Sequence, residues 1–143
     1  MPISLDSDRF LRRACSACDR QFKVLYTDDE TEVTEPHELG YFCPYCEVQA
    51  PGEAWSTDAQ REYAKAVALG WAADQFTSEL SKLNRRGSGI TFEPSKQTAT
   101  PPEPPIEPDD MLRVDFECHP NDSLKVLESW DKPVSCHICG ETS

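Results

Sequence analysis

The sequence has few of the residues that fill a large hydrophobic core. Apolar residues make up 38% of the 143 positions, and aromatic residues make up 9%. A chain of this length forms one domain or two very small ones. Small cores of this kind usually need reinforcement by disulfides or metal ions. The seven cysteines are the obvious source of that reinforcement.

Long apolar segments and catalytic motifs are also missing. No apolar run reaches the ~18 residues of a membrane span. The first residues carry Asp6 and Asp8 and lack the apolar stretch of a secretory signal. We therefore expect a cytoplasmic location, where closely spaced cysteines bind metals rather than form structural disulfides. No phosphate-binding loop, GxSxG, HExxH or deaminase signature occurs, so we expect no enzyme.

Clusters of basic residues are scarce. The net charge is −12, and both cysteine-bearing segments are acidic. Basic residues gather only at Arg9, Arg12 and Arg13 with Arg20, and at Arg85-Arg86. A surface that follows phosphates needs more clustered Lys and Arg than this. Nucleic-acid binding is therefore an alternative rather than the first hypothesis, and an acidic surface that imitates DNA is a weaker alternative.

Four cysteines form two CxxC pairs, Cys15-Ser-Ala-Cys18 and Cys43-Pro-Tyr-Cys46. Each CxxC turn presents two sulfurs on one side, and two such turns complete the tetrahedron of thiolates that Zn²⁺ prefers. We therefore predict a structural zinc site. Iron in a rubredoxin-like site is the alternative.

These residues resemble the zinc ribbon family, in which each CxxC forms a knuckle on a β-hairpin and the second often reads CPxCG. Phe42-Cys43-Pro-Tyr-Cys46 matches, although Glu47 stands where glycine is usual. Asp19 follows the first pair, and Asp tolerates a left-handed backbone better than Glu does. The resemblance covers roughly residues 10–50 and implies a fold and a metal but no particular function.

The C-terminal segment reads as a degenerate copy of the first. The motif Cys118-His-Pro-Asn121 followed by Leu-Lys-Val aligns with the first pair, and Cys136-His-Ile-Cys139 aligns with the second. Asn121 replaces one cysteine, so we predict that His119 completes a zinc site with the three thiols of Cys118, Cys136 and Cys139. His137 is the alternative fourth ligand, but it lies inside its knuckle and could point outward. A metal-free segment with cysteines as small apolar residues is the other interpretation.

The pattern of apolar residues in 56–86 predicts one long helix. Apolar residues recur with 3-4 spacing at Ala66, Leu69, Ala73, Phe76, Leu80 and Leu83, which draws a stripe along a helix. Tyr63, Val67 and Trp71 form a second row beside it. Two explanations of this surface stay open: the C-terminal segment folds back onto it, or a protein partner or a second copy covers it.

The expected fold is a small α+β protein in which two zinc β-ribbons flank one long helix. We assign residues 1–55 to the first ribbon, 56–93 to the helix and a short strand, 94–109 to a proline-rich linker, and 110–143 to the second ribbon. The expected function is that of a non-enzymatic interaction or adaptor module, a small subunit or accessory of a larger complex.

Overall fold

A computed structural model describes residues 2–28, 38–85, 89 and 102–143. The chain forms two compact units. The sheet unit combines an N-terminal half, Pro2–Asp58, with a C-terminal half, Ile106–Ser143. The helix unit is built on α1. The expected short strand in residues 56–93 and residues 94–101 of the expected linker lie outside the described residues.

The sheet unit contains all the strands of the described residues. Their bounds are β1 Phe10–Ala14, β2 Gln21–Leu25, β3 Tyr41–Phe42, β4 Gln49–Ala50, β5 Leu112–Val114 and β6 Leu124–Val126, with a 3-10 helix at Gly52–Trp55. The larger sheet has the order β1-β2-β6-β5, with antiparallel neighbours, and β3 pairs with β4. The α+β class is therefore confirmed, and strands of both halves form one sheet.

The pairing of β2 with β6 relates the two halves by a near-two-fold axis. Lys23 lies opposite Lys125, and Val24 lies opposite Leu124. The sequence alignment makes Lys23 and Lys125 equivalent. An exchange of the two halves therefore leaves this register unchanged.

One face of this sheet carries a row of four cations, which we call the basic row. Arg12 lies opposite Lys23, Lys23 opposite Lys125, and Lys125 opposite Arg113. Directly opposed like charges destabilise a sheet unless they are compensated. The two lysines are nevertheless buried, at 0% and 2% exposure, so the compensation must be close.

Two acidic segments supply that compensation, and we call them the acidic straps: Asp6–Asp8, which precedes β1, and Glu107–Asp110, which precedes β5. Asp6 Oδ2 lies 3.1 Å from Lys23 Nζ and 2.9 Å from Lys125 Nζ. Glu107 Oε1 lies 2.8 Å from Arg12 Nε and 3.0 Å from Lys23 Nζ. Residues 107–109, expected to belong to a linker, thus contact the sheet.

The opposite side of the sheet and the knuckles form the apolar core. Phe22, Leu124 and Val126 pack there with Trp55 and Phe116. Trp55 Nε1 donates a hydrogen bond of 3.0 Å to the Ala50 carbonyl, which satisfies the only polar atom of a large buried ring. This core includes the buried cysteines, so folding and the geometry of the cysteine clusters depend on each other.

The helix unit contains α1, Asp58–Arg85, close to the predicted bounds. Asp58 lies in the first turn, where the positive end of the helix dipole favours a carboxylate. Large apolar side chains of α1 are exposed: Leu69 by 71%, Trp71 by 66% and Phe76 by 67%. The apolar surface of α1 is therefore exposed at these positions rather than buried.

Candidate metal centre

The first cluster brings together the four thiols of the two CxxC pairs. Their sulfur atoms all lie within 4.8 Å of one another. Cys15 Sγ is 3.7 Å from Cys46 Sγ, and Cys18 Sγ is 3.8 Å from Cys43 Sγ. These distances are far longer than the ~2.05 Å of a disulfide bond. They match the ~3.8 Å edge of a tetrahedron with metal–sulfur bonds of about 2.3 Å.

The knuckles that carry these sulfurs share one backbone pattern. The Cys43 N–H donates to the Val48 carbonyl at 2.9 Å, and the Glu47 N–H donates to the Cys43 carbonyl at 3.0 Å. The same two bonds recur at the equivalent positions of the knuckles that start at Cys15 and Cys136. Each of these three knuckles therefore closes its turn through backbone hydrogen bonds.

The closing turn requires a left-handed residue just after each CxxC pair. Asp19, Glu47 and Gly140 have φ values of 55°, 61° and 77°. Glu47 thus adopts the geometry that glycine usually supplies, at an energetic cost. Its carboxylate accepts a hydrogen bond of 2.8 Å from the Ser135 hydroxyl, which offsets part of that cost and joins the two halves.

The second cluster contains Cys118, His119, Cys136 and Cys139, with ligand atoms again within 4.8 Å of one another. Cys118 Sγ lies 3.5 Å from Cys139 Sγ, and Cys136 Sγ lies 3.5 Å from His119 Nδ1. Metal bonds of about 2.3 Å to sulfur and 2.0 Å to nitrogen give a sulfur–nitrogen edge of ~3.5 Å. Both clusters are therefore geometrically able to bind a metal ion.

The knuckle of Cys118 differs from the other three. Its turn is closed by the Asp122 N–H, which donates to the His119 carbonyl at 3.0 Å. Cys118 and His119 are adjacent in the sequence, so this knuckle lacks the two intervening residues of a CxxC pair. Asn121 is not one of the four ligand residues of the cluster, and it lines a cleft on the sheet unit.

His137 also lies outside the second cluster, but it does not point outward. The side chain is buried, and Nδ1–H donates a hydrogen bond of 2.8 Å to the Phe42 carbonyl. Its ring stacks on Tyr41 with centroids 4.5 Å apart. Burial lowers the pKa of His137 to about 4, although the bond to Phe42 opposes the change. His137 is therefore a neutral core residue that ties the C-terminal half to β3.

The second knuckles of the two halves pair with each other about the near-two-fold axis. The Phe42 N–H donates to the His137 carbonyl at 2.8 Å, and the Ser135 N–H donates to the Pro44 carbonyl at 3.0 Å. The sequence alignment makes these two bonds equivalent. The Tyr45 hydroxyl adds a third link because it donates to the Gln21 carbonyl and accepts from the N–H of Leu127.

Burial in these clusters disfavours free thiolates. Burial raises the pKa of Cys43 far above its usual range, and the Cys15 thiol raises it further, although backbone N–H groups oppose the change. Local desolvation and the neighbouring thiols raise the pKa of Cys118 to about 12. A bound cation would reverse this preference, because it stabilises the thiolates that ligate it.

The basic row and its acidic straps are the feature that sequence reasoning missed. The alignment of Lys23 with Lys125 was the available signal, because it places two lysines at equivalent strand positions.

Of the helices that the structure describes, none combines the length and the apolar character needed to cross a membrane. Comparisons with protein-family models, curated proteins and solved structures gave no match to this chain.

Proposed function

We propose that both clusters hold Zn²⁺ and that each half of the sheet unit is a zinc ribbon. The support is the geometry of the ligand atoms. The sulfur–sulfur and sulfur–nitrogen distances are those of tetrahedral sites with four thiolates or with three thiolates and one imidazole, which are common structural zinc sites. The knuckle hairpins and their shared turn geometry resemble those of zinc ribbons. Iron in the four-thiolate site is the alternative that metal analysis separates.

The proposed role of the zinc is structural. Four protein ligands at each site leave no position for the water or substrate that a catalytic zinc binds. Cys15, Cys43 and Cys136 are also buried core residues. Zinc would therefore replace part of the apolar core that the sequence lacks, and the protein is proposed to have no enzymatic activity.

The ligand assignment has a direct test in the metal content of two histidine variants. His119→Ala removes a proposed ligand, so the purified variant should contain one zinc ion fewer than the wild type. His137→Ala is the matched control and should keep the wild-type content, because its ring bonds a carbonyl rather than the cluster. If His119→Ala keeps all its zinc, the proposed ligand set is wrong.

The proposed biological role is that of a protein-interaction or adaptor module, within a larger complex, that binds through α1. The observation that carries this role is the exposure of Leu69, Trp71 and Phe76 on one helix. Exposed large apolar side chains mark interaction sites when they lie together. Residues 66–73 contain no charged side chain. An apolar helix segment of this kind needs cover on more than one side.

Charge compensation favours a protein partner over a nucleic acid. Arg12 pairs with Glu107 and Asp110, and Arg9 pairs with Asp28. These pairs neutralise much of the basic cluster near the N-terminus, so it offers little attraction for phosphates. The side chain of Arg85 and residue 86 lie outside the described residues.

The role of α1 is tested by substitution and sedimentation. Trp71→Ala and Phe76→Ala should each weaken self-association, or association with a complex captured by cross-linking in host cells, by about tenfold or more. Each should change the free energy of unfolding by less than ~1 kcal/mol, because both side chains are exposed. Gln75→Ala, on the same exposed turn, is the control and should change neither quantity.

Two results would contradict this role. One is a wild-type chain that stays monomeric and captures no complex through α1. The other is a loss of ~3–5 kcal/mol of stability in Phe76→Ala, which is the cost of truncating a buried phenylalanine. That loss would show that the helix is covered by its own chain.

A further inference from the structure

A cleft of about 1050 Å³ opens on the sheet unit. Both halves form its walls. Leu11 and Arg13 of β1 contribute from the N-terminal half, and residues 120–124 with His137 and Ile138 contribute from the C-terminal half. The cleft is large enough for a small organic molecule, since such sites usually enclose ~300–1,000 Å³.

Arg13 is the group that gives this cleft a chemical preference. It is half-buried on β1, and no carboxylate among the described residues forms an ion pair with it. The other two arginines of the cleft are compensated. Arg9 pairs with Asp28, and Arg113 pairs with Asp115. A half-buried cation without a partner is an energetic cost that a bound anion would relieve.

Two aromatic rings line the cleft beside Arg13. The Tyr41 ring, stacked on His137, lines the same cleft. His137 donates Nδ1–H to the Phe42 carbonyl, which holds the stacked pair of rings in place. The Tyr41 hydroxyl has no hydrogen-bond partner in the part of the chain that the structure describes, and it can donate to an anion near Arg13.

The rest of the cleft combines apolar side chains with two carboxylates. Leu11 and Arg13 lie on the same face of β1 because side chains two positions apart share a face of a strand. Val24, opposite Leu11 in the sheet, and Ile138 extend this apolar surface. Asp8 and Asp122 also line the cleft and would repel an anion, although Asp8 pairs with Lys125 at 2.7 Å.

We propose that this cleft binds a small amphiphilic carboxylate. The carboxylate pairs with Arg13 and accepts from the Tyr41 hydroxyl, and the apolar body lies against Leu11, Val24 and Ile138. Arg–carboxylate pairs can form two parallel hydrogen bonds, which makes a carboxylate a better fit to guanidinium than a single-point acceptor. The inference is independent of the role proposed for α1.

The test compares 2-naphthoate with 2-naphthamide, a neutral probe of nearly the same shape. Calorimetric titration of the metal-loaded full chain should show that the anion binds at least about tenfold more tightly than the amide. Arg13→Gln should abolish this preference, and Arg13→Lys should restore part of it. Arg20→Gln removes an arginine that contacts Trp130 outside the cleft and should bind like the wild type.

Three results would overturn the proposal. One is the absence of naphthoate binding to the wild type at millimolar concentration. Another is an unchanged preference in Arg13→Gln. The third is available even if that variant fails to fold: in wild-type NMR spectra the naphthoate should shift the Tyr41 and His137 ring signals, and shifts confined to other residues would place the probe elsewhere.

Discussion

Asp6→Asn is the sharpest test of the basic row. Asp6 is fully buried in its side chain, and one oxygen contacts both buried lysines. Its other oxygen accepts from the N–H groups of Asp8 and Phe10 at 3.1 and 2.9 Å. Asparagine keeps an acceptor for those N–H groups and so leaves the local turn. It removes the charge and places an NH₂ donor in front of the two lysines.

Two arguments give the expected loss in the free energy of unfolding. Burial disfavours the Asp6 carboxylate, but hydrogen bonds from Phe10, Lys125 and Lys23 outweigh it and lower the pKa from 3.8 to about 2. A difference of roughly two units corresponds to about 2.5 kcal/mol. Removal of one partner from a buried ion pair typically costs ~3–5 kcal/mol. Because other carboxylates stay near both lysines, we expect a loss of about 3 kcal/mol.

Urea unfolding of the zinc-loaded chain at neutral pH, followed by circular dichroism, measures this loss. Asp28→Asn is the matched control. It breaks the exposed pair with Arg9, which should be worth less than ~1 kcal/mol. The contribution of Asp6 is present above the ordinary pKa of 3.8 and disappears as the pH falls through about 2. Equal stabilities of the two variants would refute the idea that the straps neutralise the row.

Two further predictions concern the contacts between the halves. In thermal unfolding, Gly140→Ala should lower the stability by about 1–3 kcal/mol, because Gly140 has a φ of 77° and an added Cβ would lie 2.9 Å from the Phe42 ring. Gly70 has open space around it in α1, so Gly70→Ala should instead stabilise the protein by up to ~1 kcal/mol in the same assay. Tyr45→Phe should cost about 1–3 kcal/mol in urea unfolding, because it removes the hydroxyl that links the two halves, and a neutral effect would show that this link does not stabilise their pairing.

The cysteine spacing predicted much of the candidate site. The two CxxC pairs were sufficient to predict the ligand residues of the first cluster, because a knuckle is a local structure and its ligand spacing is visible in the sequence. The internal alignment also pointed to His119, which the structure places in the second cluster. The helix was predictable for the same reason, since its apolar period is local.

The interactions between the halves could not be predicted in this way. The basic row depends on the pairing of β2 with β6, which lie about one hundred positions apart in the sequence. The strands β2, β5 and β6 each contain a single cation, so the row is not visible in any one segment of the sequence. Strap residues 107–109 end a proline-rich stretch and therefore resembled a linker rather than a counter-charge.

Two zinc ions are proposed to hold this fold together. Native mass spectrometry of the full chain, purified without chelator, tests it most directly. We expect one dominant species with two zinc ions bound and all seven cysteines reduced. Chelation of both ions should unfold the sheet unit, because metal binding and folding are coupled in such small sites. A folded chain with no metal, or with its cysteines joined in disulfides, would contradict the account.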